Sequence, residues 1–334
     1  MISKRRLPEI AAIRASVLRG LVEELDRRTG KTDMLLAGHG LLRSQLEDPY
    51  ARVPMTRYVA LFEEAAVHVG DPLFGARLGA AFRPADLGPI GMLFSLSSTI
   101  RAALARMARH MAVVQGATGI GLVAEADRLI WSYHLEDPGL WPRRQESEYS
   151  VVATCQLMRT CFSVGWTPVE VHFEHTPPSE PGALQRLLRC PLLFDQPANR
   201  IVIANEDADR VHRREDRDLI AILERHVADI SAREQLAPGI VEQVGALIGI
   251  YLGHKPVTLV EIAREMRMPP RSLQRRLAEE GTSLRHLLRA HRQEIAGRQL
   301  SEAATSKARI AEALGYADAT VFWRARKSWS GDLH

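Results

Sequence analysis

The chain has 334 residues, too many for one ordinary domain and enough for two or three. Its 46% hydrophobic and 25% charged residues are typical of a globular protein, which excludes a disordered or fibrous chain. The net charge of +4 is unevenly placed, because residues 240–334 alone carry 15 Lys+Arg against 10 Asp+Glu. A basic C-terminal third beside a near-neutral remainder is typical of a protein that faces nucleic acid at one end.

The cysteines and the N-terminus indicate the compartment. Cys155, Cys161 and Cys190 are odd in number and have no C-x-x-C spacing, which predicts buried thiols in a reducing environment. No apolar run approaches the ~20 residues of a membrane span, and MISKRRLPEI is not followed by the apolar segment of a signal peptide. We therefore expect a cytoplasmic protein without a membrane partner.

The first part of the chain is predicted to be helical. Apolar residues recur every three or four positions over 8–28 and over 55–69, and a glycine ends each pattern. Shorter helical patterns lie at 34–37, 41–46 and 74–82, and two more helices are expected over 87–115.

The pattern changes after residue 118. Two short β-type runs, 119–126 and 129–135, are joined at Asp127-Arg128 as in a hairpin. A helix is predicted over 148–164, and strict alternation from Val169 to Phe173 predicts a strand, with further strands at 192–194 and 199–204. Residues 1–208 are therefore predicted to form a regulatory α+β domain.

The sequence does not identify a ligand pocket in this domain. Trp131, Tyr133 and Trp141 suit either a pocket lining or core packing, and core packing is favoured. His172 and His175 fall on opposite faces of the predicted strand, which argues against a shared metal. We expect neither a metal nor a cofactor.

A long charged helix is predicted over 209–236, and Ala237-Pro238-Gly239 ends it. Its apolar seam is narrow, and Leu219, Leu223, Val227 and Ile230 are the candidate dimerisation residues because a narrow seam with charged flanks suits a two-helix interface. The alternative is a surface helix that docks on its own domain. Residues 209–239 are assigned as a charged linker or dimerisation helix.

The third region, 240–334, is predicted to be all-α. A helix over 240–252 precedes an apolar stripe at 259–266, a turn at 267–270 and a second helix that directs Leu273 and Leu277 inward. Two short helices joined by a tight turn predict a helix-turn-helix. A scaffold helix over 283–302 leads to a second such pattern, with helices at 306–314 and 319–329. The predicted fold class is mainly α, with an α+β N-terminal domain and two tandem helix-turn-helix units.

The last 90 residues resemble the AraC family of bacterial transcription regulators. The resemblance is carried by Glu261-Ile262-Ala263, Ser272 to Leu277 and Glu280 to Ser283, and then by Ile310 to Tyr316 and Phe322 to Ala325. Both blocks occur in order at the family spacing, a much more specific signal than a lone helix-turn-helix. The resemblance implies a sequence-specific DNA-binding regulator that is not an enzyme.

The N-terminal part resembles the arabinose-binding-type domain of the OruR-like and VirS-like regulators. The similar segments are Val53-Pro54, Gly70 to Gly75, Leu87 to Gly91, Trp166 to His175 and Arg189-Cys190-Pro191 with Phe194. The resemblance implies a domain that senses a small molecule, dimerises, or both. Because the similarity to the arabinose-sensing cupin is one of role, arabinose is not carried over as the ligand.

The chain departs from the family pattern at two places. Pro269 stands where the family has a serine N-cap, so a side-chain acceptor worth ~1 kcal/mol is missing. Arg326 replaces an aromatic residue of the second unit, and the chain ends at 331–334 without the usual proline-and-tyrosine tail. A long cation in a core position needs a partner or a path to solvent, so the second unit is expected to be less stable or to read DNA weakly.

The predicted DNA contacts are assigned from helix position. Arg pairs bidentately with guanine and Gln with adenine, and Ala or Val contacts a thymine methyl. The predicted base-contacting residues are Arg271, Ser272, Gln274 and Arg275 in the first unit, and Ala319, Thr320, Val321 and Arg324 in the second. The phosphate candidates are Arg285, Arg289, Lys307 and Arg309.

The expected partners are double-stranded DNA, a small-molecule effector, a second copy of the chain and, for an activator, RNA polymerase. Two alternatives stay open at this point. The chain is a degenerate regulator that acts through dimers without strong DNA binding, or it is an enzyme such as a DNA-repair protein. The second alternative lacks support from motifs, since no Walker, H-E-x-x-H or G-x-S-x-G signature occurs.

Overall fold

The computed structural model describes residues 12–41, 43–46, 51–116, 118–135, 140, 142–235, 240–251, 257–266, 268–301 and 319–329. The chain divides into two compact units, which we name the N-terminal unit (Glu9–Arg233) and the C-terminal unit (Glu234–His334). Each unit has its own hydrophobic core. Among the described residues, no helix is long and apolar enough to cross a membrane.

The first half of the N-terminal unit is mainly helical. Strands β1 (Ala12–Arg14) and β2 (Arg52–Pro54) form a small antiparallel sheet. The helices of this half are α1 (Arg19–Arg28), α2 (Thr32–Gly38), α3 (Met55–Val69), α4 (Phe74–Ala80), α5 (Pro89–Leu96) and α6 (Ile100–His110). Short 3-10 turns lie at Ala15–Leu18, Arg43–Leu46, Pro84–Leu87 and Met111–Val113.

The second half of the unit carries a five-stranded sheet with the order β3-β4-β7-β5-β6. The strands are β3 (Thr118–Ala124), β4 (Arg128–Leu135), β5 (Glu170–His172), β6 (Leu192–Leu193) and β7 (Asn199–Ala204). All neighbours pair antiparallel except β5 and β6. The helices are α7 (Arg144–Cys161), α8 (Pro181–Leu188), α9 (Asn205–Asp209) and α10 (Arg217–Gln235). The mixed α+β character and the hairpin at 118–135 are confirmed.

The predicted helix over 8–28 is wrong in its first half as far as the structure describes it. Residues 12–14 form β1, and the α-helix begins only at Arg19. Ile13 fits a helical repeat, but it pairs with Val53 of β2 and the Arg14 N–H donates to the Val114 carbonyl at 2.9 Å. Contacts with distant segments therefore override the local periodicity.

The charged helix predicted from Asp209 also begins later, at Arg217. The Asp216 carboxylate accepts a hydrogen bond from the Leu219 N–H at 3.0 Å, which caps the start of α10. The preceding segment is held away from a helical path because Glu215 accepts two hydrogen bonds from Arg106, at 2.8 and 2.9 Å. This ion pair, reinforced by the Ser98 N–H, lowers the pKa of Glu215 to about 2.

Helices α4 and α7 approach each other at the centre of the N-terminal unit. A Cβ on Gly75 would lie 2.0 Å from the Gln145 carbonyl oxygen, and one on Gly79 would lie 2.6 Å from that of Tyr149. The Gln145 amide completes the contact, since its oxygen accepts from the Gly75 N–H at 2.8 Å and its nitrogen donates to the Pro72 carbonyl at 2.9 Å. Only glycine at these two positions allows the helices to pack this closely.

Buried carboxyl groups lie in the first turns of α7. Glu146 accepts hydrogen bonds from the Tyr133 and Ser150 hydroxyls, and burial raises its pKa to about 7. Glu148 is fully buried, with Arg144 and His175 each 3.6 Å away, and burial raises its pKa to about 8. Burial also lowers the pKa of His175, so this contact joins a protonated carboxyl to a neutral imidazole near neutral pH. The three cysteines are free and buried, as predicted.

The described part of the C-terminal unit contains helices and short connecting segments. Its helices are α11 (Ile240–Tyr251), α12 (Leu259–Glu265), α13 (Pro270–Glu279), α14 (Leu284–Ser301) and α15 (Ala319–Trp329). A core of Val244, Leu247 and Ile248 from α11 with Ile262 and Leu273 joins the first helices. The helix predicted at 306–314 and its turn lie outside the described residues.

We predict that Glu148→Gln stabilises the N-terminal unit at alkaline pH. The folded pKa of Glu148 lies above the ordinary carboxyl value, so its contribution to stability is complete below about pH 4.5 and is lost as pH rises towards 8. The neutral amide removes this loss. We expect a gain on the order of 1 kcal/mol at pH 8.5, about 2–4 °C in melting temperature, and a smaller gain at pH 6.

The matched control is Glu206→Gln on the exposed surface of α9, whose side chain is 87% accessible. It is expected to leave the melting temperature unchanged at both pH values. Equal gains for Glu148→Gln at pH 6 and pH 8.5 would contradict the assignment.

Candidate nucleic-acid interface

The first helix-turn-helix is built from α12 and α13. The Thr258 hydroxyl accepts the Glu261 N–H at 3.2 Å and caps α12. Ile262 and Ala263 of α12 are fully buried against Leu273 and Leu277 of α13. The apolar faces predicted from the sequence therefore meet in one core, and this fixes which side of α13 faces solvent.

The solvent face of α13 carries the predicted base-contacting side chains. Arg271, Gln274 and Arg275 are exposed, whereas Ser272 is half-buried. The Arg275 guanidinium lies 3.5 Å from Glu279 one turn later, and both side chains are well exposed, so this ion pair is weak and readily exchanged. The face thus presents two guanidinium groups and one amide.

Pro269 occupies the N-cap position of α13, as predicted, and no side chain caps the helix there. Pro270 comes next, at the first helical position, where the absent N–H costs nothing. The backbone compensates in part, because the Pro269 carbonyl accepts the N–H groups of Ser272 and Leu273 at 3.0 and 3.1 Å.

The other end of α13 has a complete cap. Gly281 adopts the left-handed conformation with φ 71°, and its N–H donates to the Ala278 carbonyl at 3.0 Å. The Thr282 N–H donates to the Leu277 carbonyl at 2.9 Å, which completes a Schellman motif. The Ser283 hydroxyl then accepts the His286 N–H at 3.2 Å and caps α14. The residues Glu280 to Ser283 thus connect two helices through a turn whose backbone is hydrogen-bonded to the end of α13 and whose Ser283 side chain caps α14.

The predicted phosphate contacts are distributed unevenly. Arg285 is exposed in the first turn of α14, and Arg289 is half-buried one turn later. Lys307 and Arg309 lie outside the described residues. Of the two predicted phosphate contacts that the structure describes, Arg285 is therefore the more exposed.

Helix α15 carries the predicted contacts of the second helix-turn-helix. Thr320, Val321 and Arg324 are exposed, and the backbone of Ala319 begins the helix. Phe322 is fully buried. Arg326 is half-buried, and its guanidinium carbon stands 4.6 Å from the centroid of the Trp323 ring. Arg326, which replaces an aromatic residue of the family pattern, thus stacks on the face of the Trp323 ring.

The predicted dimerisation residues lie on α10. Leu219 is 40% exposed, whereas Val227 is 1% exposed and belongs to the core of the N-terminal unit. Leu223 and Ile230 pack against the same core. The larger exposed apolar surface of this helix comes from Ile222, at 65%.

A cavity of about 760 Å³ in the N-terminal unit was not identified from the sequence. Its lining comes from residues between Arg14 and Arg28, from Phe62, α4, the segment 81–90, Val113, Val114 and Tyr149, and from α10. The aromatic residues that suggested a pocket lie elsewhere, since Trp131 and Tyr133 are buried in the sheet and Trp141 falls outside the described residues. The cavity joins residues more than 200 positions apart, so no local pattern in the sequence marks it.

Two helices held at a tight turn, with arginine and glutamine on the exposed face of the second, define a DNA-binding transcription regulator of the helix-turn-helix class. Residues 262–333 match a helix-turn-helix domain family. Residues 30–211 match the family described as the arabinose-binding domain of AraC transcription regulators, N-terminal. The chain belongs to the AraC family of transcription regulators, with an arabinose-binding-type ligand-sensing domain before its DNA-binding domain.

Three relatives illustrate the family. An uncharacterized HTH-type regulator of Mycobacterium tuberculosis is 27% identical over 97% of this chain and 96% of its own length. The regulator VirS of the same species is 23% identical, over 84% and 83%. The ornithine utilization regulator of Pseudomonas aeruginosa is 25% identical, over 86% and 85%. The resemblance stated from the sequence motifs is thereby confirmed.

We predict that Gly281→Ala destabilises the C-terminal unit by about 1–2 kcal/mol, because alanine resists the left-handed conformation. The matched control is Gly245→Ala in α11, where a Cβ meets no atom within 4 Å. There the same substitution is expected to stabilise the helix by about 0.5–1 kcal/mol. Amide hydrogen exchange of α13 and α11 measures both effects. Equal signs at the two sites would contradict the assigned cap.

Proposed function

We propose that this regulator reads its operator mainly through α13. The observation that carries the proposal is the exposed face of Arg271, Gln274 and Arg275, set opposite an apolar face that is fully buried. A recognition helix places such a face against base edges in the major groove, where guanidinium pairs with guanine and the carboxamide with adenine. Ser272, which is half-buried, is assigned a contact at the edge of this face.

The second recognition helix, α15, makes a smaller contribution in this proposal. Its exposed side chains offer fewer hydrogen bonds, from Thr320 and Arg324, while Ala319 and Val321 are suited to a thymine methyl. The stacking of Arg326 on Trp323 argues that α15 keeps a defined structure despite the missing aromatic residue. This favours a regulator that uses both units over a degenerate one.

The proposed partners of the regulator are a small molecule, DNA and a second copy of the chain. The N-terminal unit senses a small molecule, and the regulator acts on chromosomal DNA in the cytoplasm as a homodimer without catalysing a reaction. Contact with RNA polymerase applies if it activates transcription.

We predict that Arg275→Ala weakens binding to the DNA upstream of its own gene and relaxes base preference at one position by roughly 1–3 kcal/mol. A matched contrast is Arg285→Ala, a phosphate contact in this proposal. It is expected to weaken binding equally for all sequences and to lower the slope of log affinity against log salt by about 1. Fluorescence anisotropy on a panel of operator variants at several salt concentrations measures both.

The control is Arg186→Ala on the exposed surface of α8 in the N-terminal unit, which should change neither quantity. An unchanged base preference for Arg275→Ala would remove this residue from base recognition. Wild-type affinity that does not depend on salt would overturn the proposal of DNA binding through arginine.

For the homodimer we propose a surface centred on the exposed side of α10. Leu219 and Ile222 are exposed there, whereas Leu223, Val227 and Ile230 pack on the core of their own unit. The helix is also tied to its unit by Glu224, which lies 3.7 Å from Arg106 and 3.8 Å from Arg109. A dimer seam on this helix therefore uses the first two turns in preference to its whole length.

We predict that the double substitution Leu219→Asp with Ile222→Asp raises the dissociation constant of the dimer more than tenfold, since each buried apolar side chain contributes about 1.5–3 kcal/mol. The control is Val164→Asp, at a residue 79% exposed beyond the end of α7. Sedimentation velocity of the full chain measures the effect. A dimer that survives the double substitution uses another surface.

A further inference from the structure

The cavity of the N-terminal unit has an apolar floor. Phe62 and Phe74 are fully buried and line it, and Phe82 and Tyr149 are nearly buried. The Tyr149 ring packs against Phe62 at 5.0 Å and edge-on against Phe82 at 5.8 Å between centroids. At about 760 Å³, the volume falls in the range of small-molecule sites. The floor is suited to an apolar group such as an aromatic ring or an alkyl chain.

The charged part of the cavity lining, which we name the rim, is rich in arginine. Among its described lining residues six are arginines, namely Arg14, Arg19, Arg27, Arg28, Arg77 and Arg83, and three are acidic. Asp71, which is buried, is shared by two of these arginines, since one of its oxygens is 3.2 Å from both Arg28 and Arg77. Other lining arginines are paired as well, since Glu24 lies 3.8 Å from Arg28 and Asp86 lies 2.9 Å from Arg83. The six arginines face three acidic lining residues and Asp71, which leaves an excess of two positive charges.

Neutral polar side chains are scarce in the same lining. Its described part contains Ser16 and Tyr149 as hydroxyl donors, but no Asn, Gln, Thr or Trp. A sugar is held by several directed hydrogen bonds, and this lining provides few neutral groups to make them. A group with delocalised negative charge suits arginine best, because a guanidinium binds carboxylate or phosphate bidentately.

Helix α10 closes one wall of the cavity. Val227 and Ile230 from its buried side line the space, together with the exposed His226. This helix is the last element of the N-terminal unit before the chain passes to the DNA-binding domain. A ligand that packs against Val227 and Ile230 contacts the segment through which the two units are joined covalently.

We propose that this cavity is the effector site and that its ligand is an organic anion: a carboxylate or phosphate head bound by the arginine rim, with an apolar body on the aromatic floor. The inference rests on the sensing role proposed above. Ligand binding favours the position of α10 in which this helix packs on the ligand. DNA affinity then changes, because α10 leads directly into the DNA-binding unit.

The chain offers a blocking variant with its own control. Gly20 lines the cavity in the first turn of α1, and a Cβ added there meets no atom within 4 Å. Gly20→Trp places a large ring where the ligand is proposed to bind. Gly20→Ala is the control that keeps the space open.

The experiment uses the full chain and two sets of probes matched in body and different in head. The first set is 1-naphthaleneacetate, 1-naphthalenemethylamine and 1-naphthaleneethanol, and the second is octanoate, octylamine and octanol. Inorganic phosphate and acetate test the anionic head without an apolar body, and L-arabinose tests a sugar. Isothermal titration calorimetry measures binding, and anisotropy with DNA from upstream of the gene measures the effect on DNA affinity.

We expect the two carboxylates to bind at least about tenfold more tightly than their amine and alcohol partners, since charge-assisted hydrogen bonds are lost with the anionic head. Gly20→Trp should abolish binding, Gly20→Ala should retain it, and Arg77→Gln should weaken it relative to Arg186→Gln. Saturating carboxylate is expected to change DNA affinity about fivefold or more.

Each other outcome has a defined meaning. Equal binding of all three heads, or undiminished binding to Gly20→Trp, would overturn the site. Tighter binding of L-arabinose would overturn the ligand class. Carboxylate binding without a change in DNA affinity would overturn the effector role. If the ligand-free chain does not bind DNA, the proposed function is contradicted instead. Calorimetry then still tests whether the cavity binds the carboxylates.

Discussion

The close approach of α4 and α7 determines most of what the N-terminal unit can do. Gly75 and Gly79 allow the two backbones to touch, and the Gln145 amide joins them with hydrogen bonds in both directions. This contact places Tyr149 beside Phe82, where both rings form the floor of the cavity. It also draws the first turns of α7 into the core, which is why Glu146 and Glu148 are buried. The cavity and the buried acids thus share one origin.

The C-terminal unit was largely predictable from its sequence, because its information is local. Leu273 and Leu277 recur at helical spacing, the turn is short, and the charged residues fall on the opposite face. Periodicity of this kind determines which side chains are exposed without knowledge of distant contacts. The position of Pro269 at the cap was predicted from the resemblance to the family, where a serine stands at this position. The stacking of Arg326 on Trp323 was not predicted, although the two residues are three apart on one helix face.

The N-terminal unit was less predictable, because distant residues decide its local structure. Ile13 lies in a helical pattern yet forms a strand, since β2 is within reach only in the folded chain. The helix predicted to begin at Asp209 begins only at Arg217, because Arg106 of α6 binds Glu215 and holds the segment before the helix. The cavity is lined by residues of both α1 and α10, which are far apart in the sequence. The sequence around Glu146 and Glu148 looks like an ordinary solvent-exposed helical turn, although both side chains are buried. Such features arise from packing, which a pattern in one segment does not contain.

The connector between α13 and α14 has a further consequence. Its hydrogen bonds and the left-handed Gly281 hold the backbone between Leu277 and His286 in one conformation. Such a rigid joint sets the rotational phase of one helix relative to the next. Each residue inserted into an α-helical frame rotates all later side chains by about 100°, so a connector of constant length keeps Leu284 and Leu287 directed at the core that Leu273 and Leu277 begin. The stretch Glu280 to Ser283 therefore sets the rotation of α14 relative to α13. Its amino-acid sequence is constrained by this geometry more than by the operator that the regulator binds.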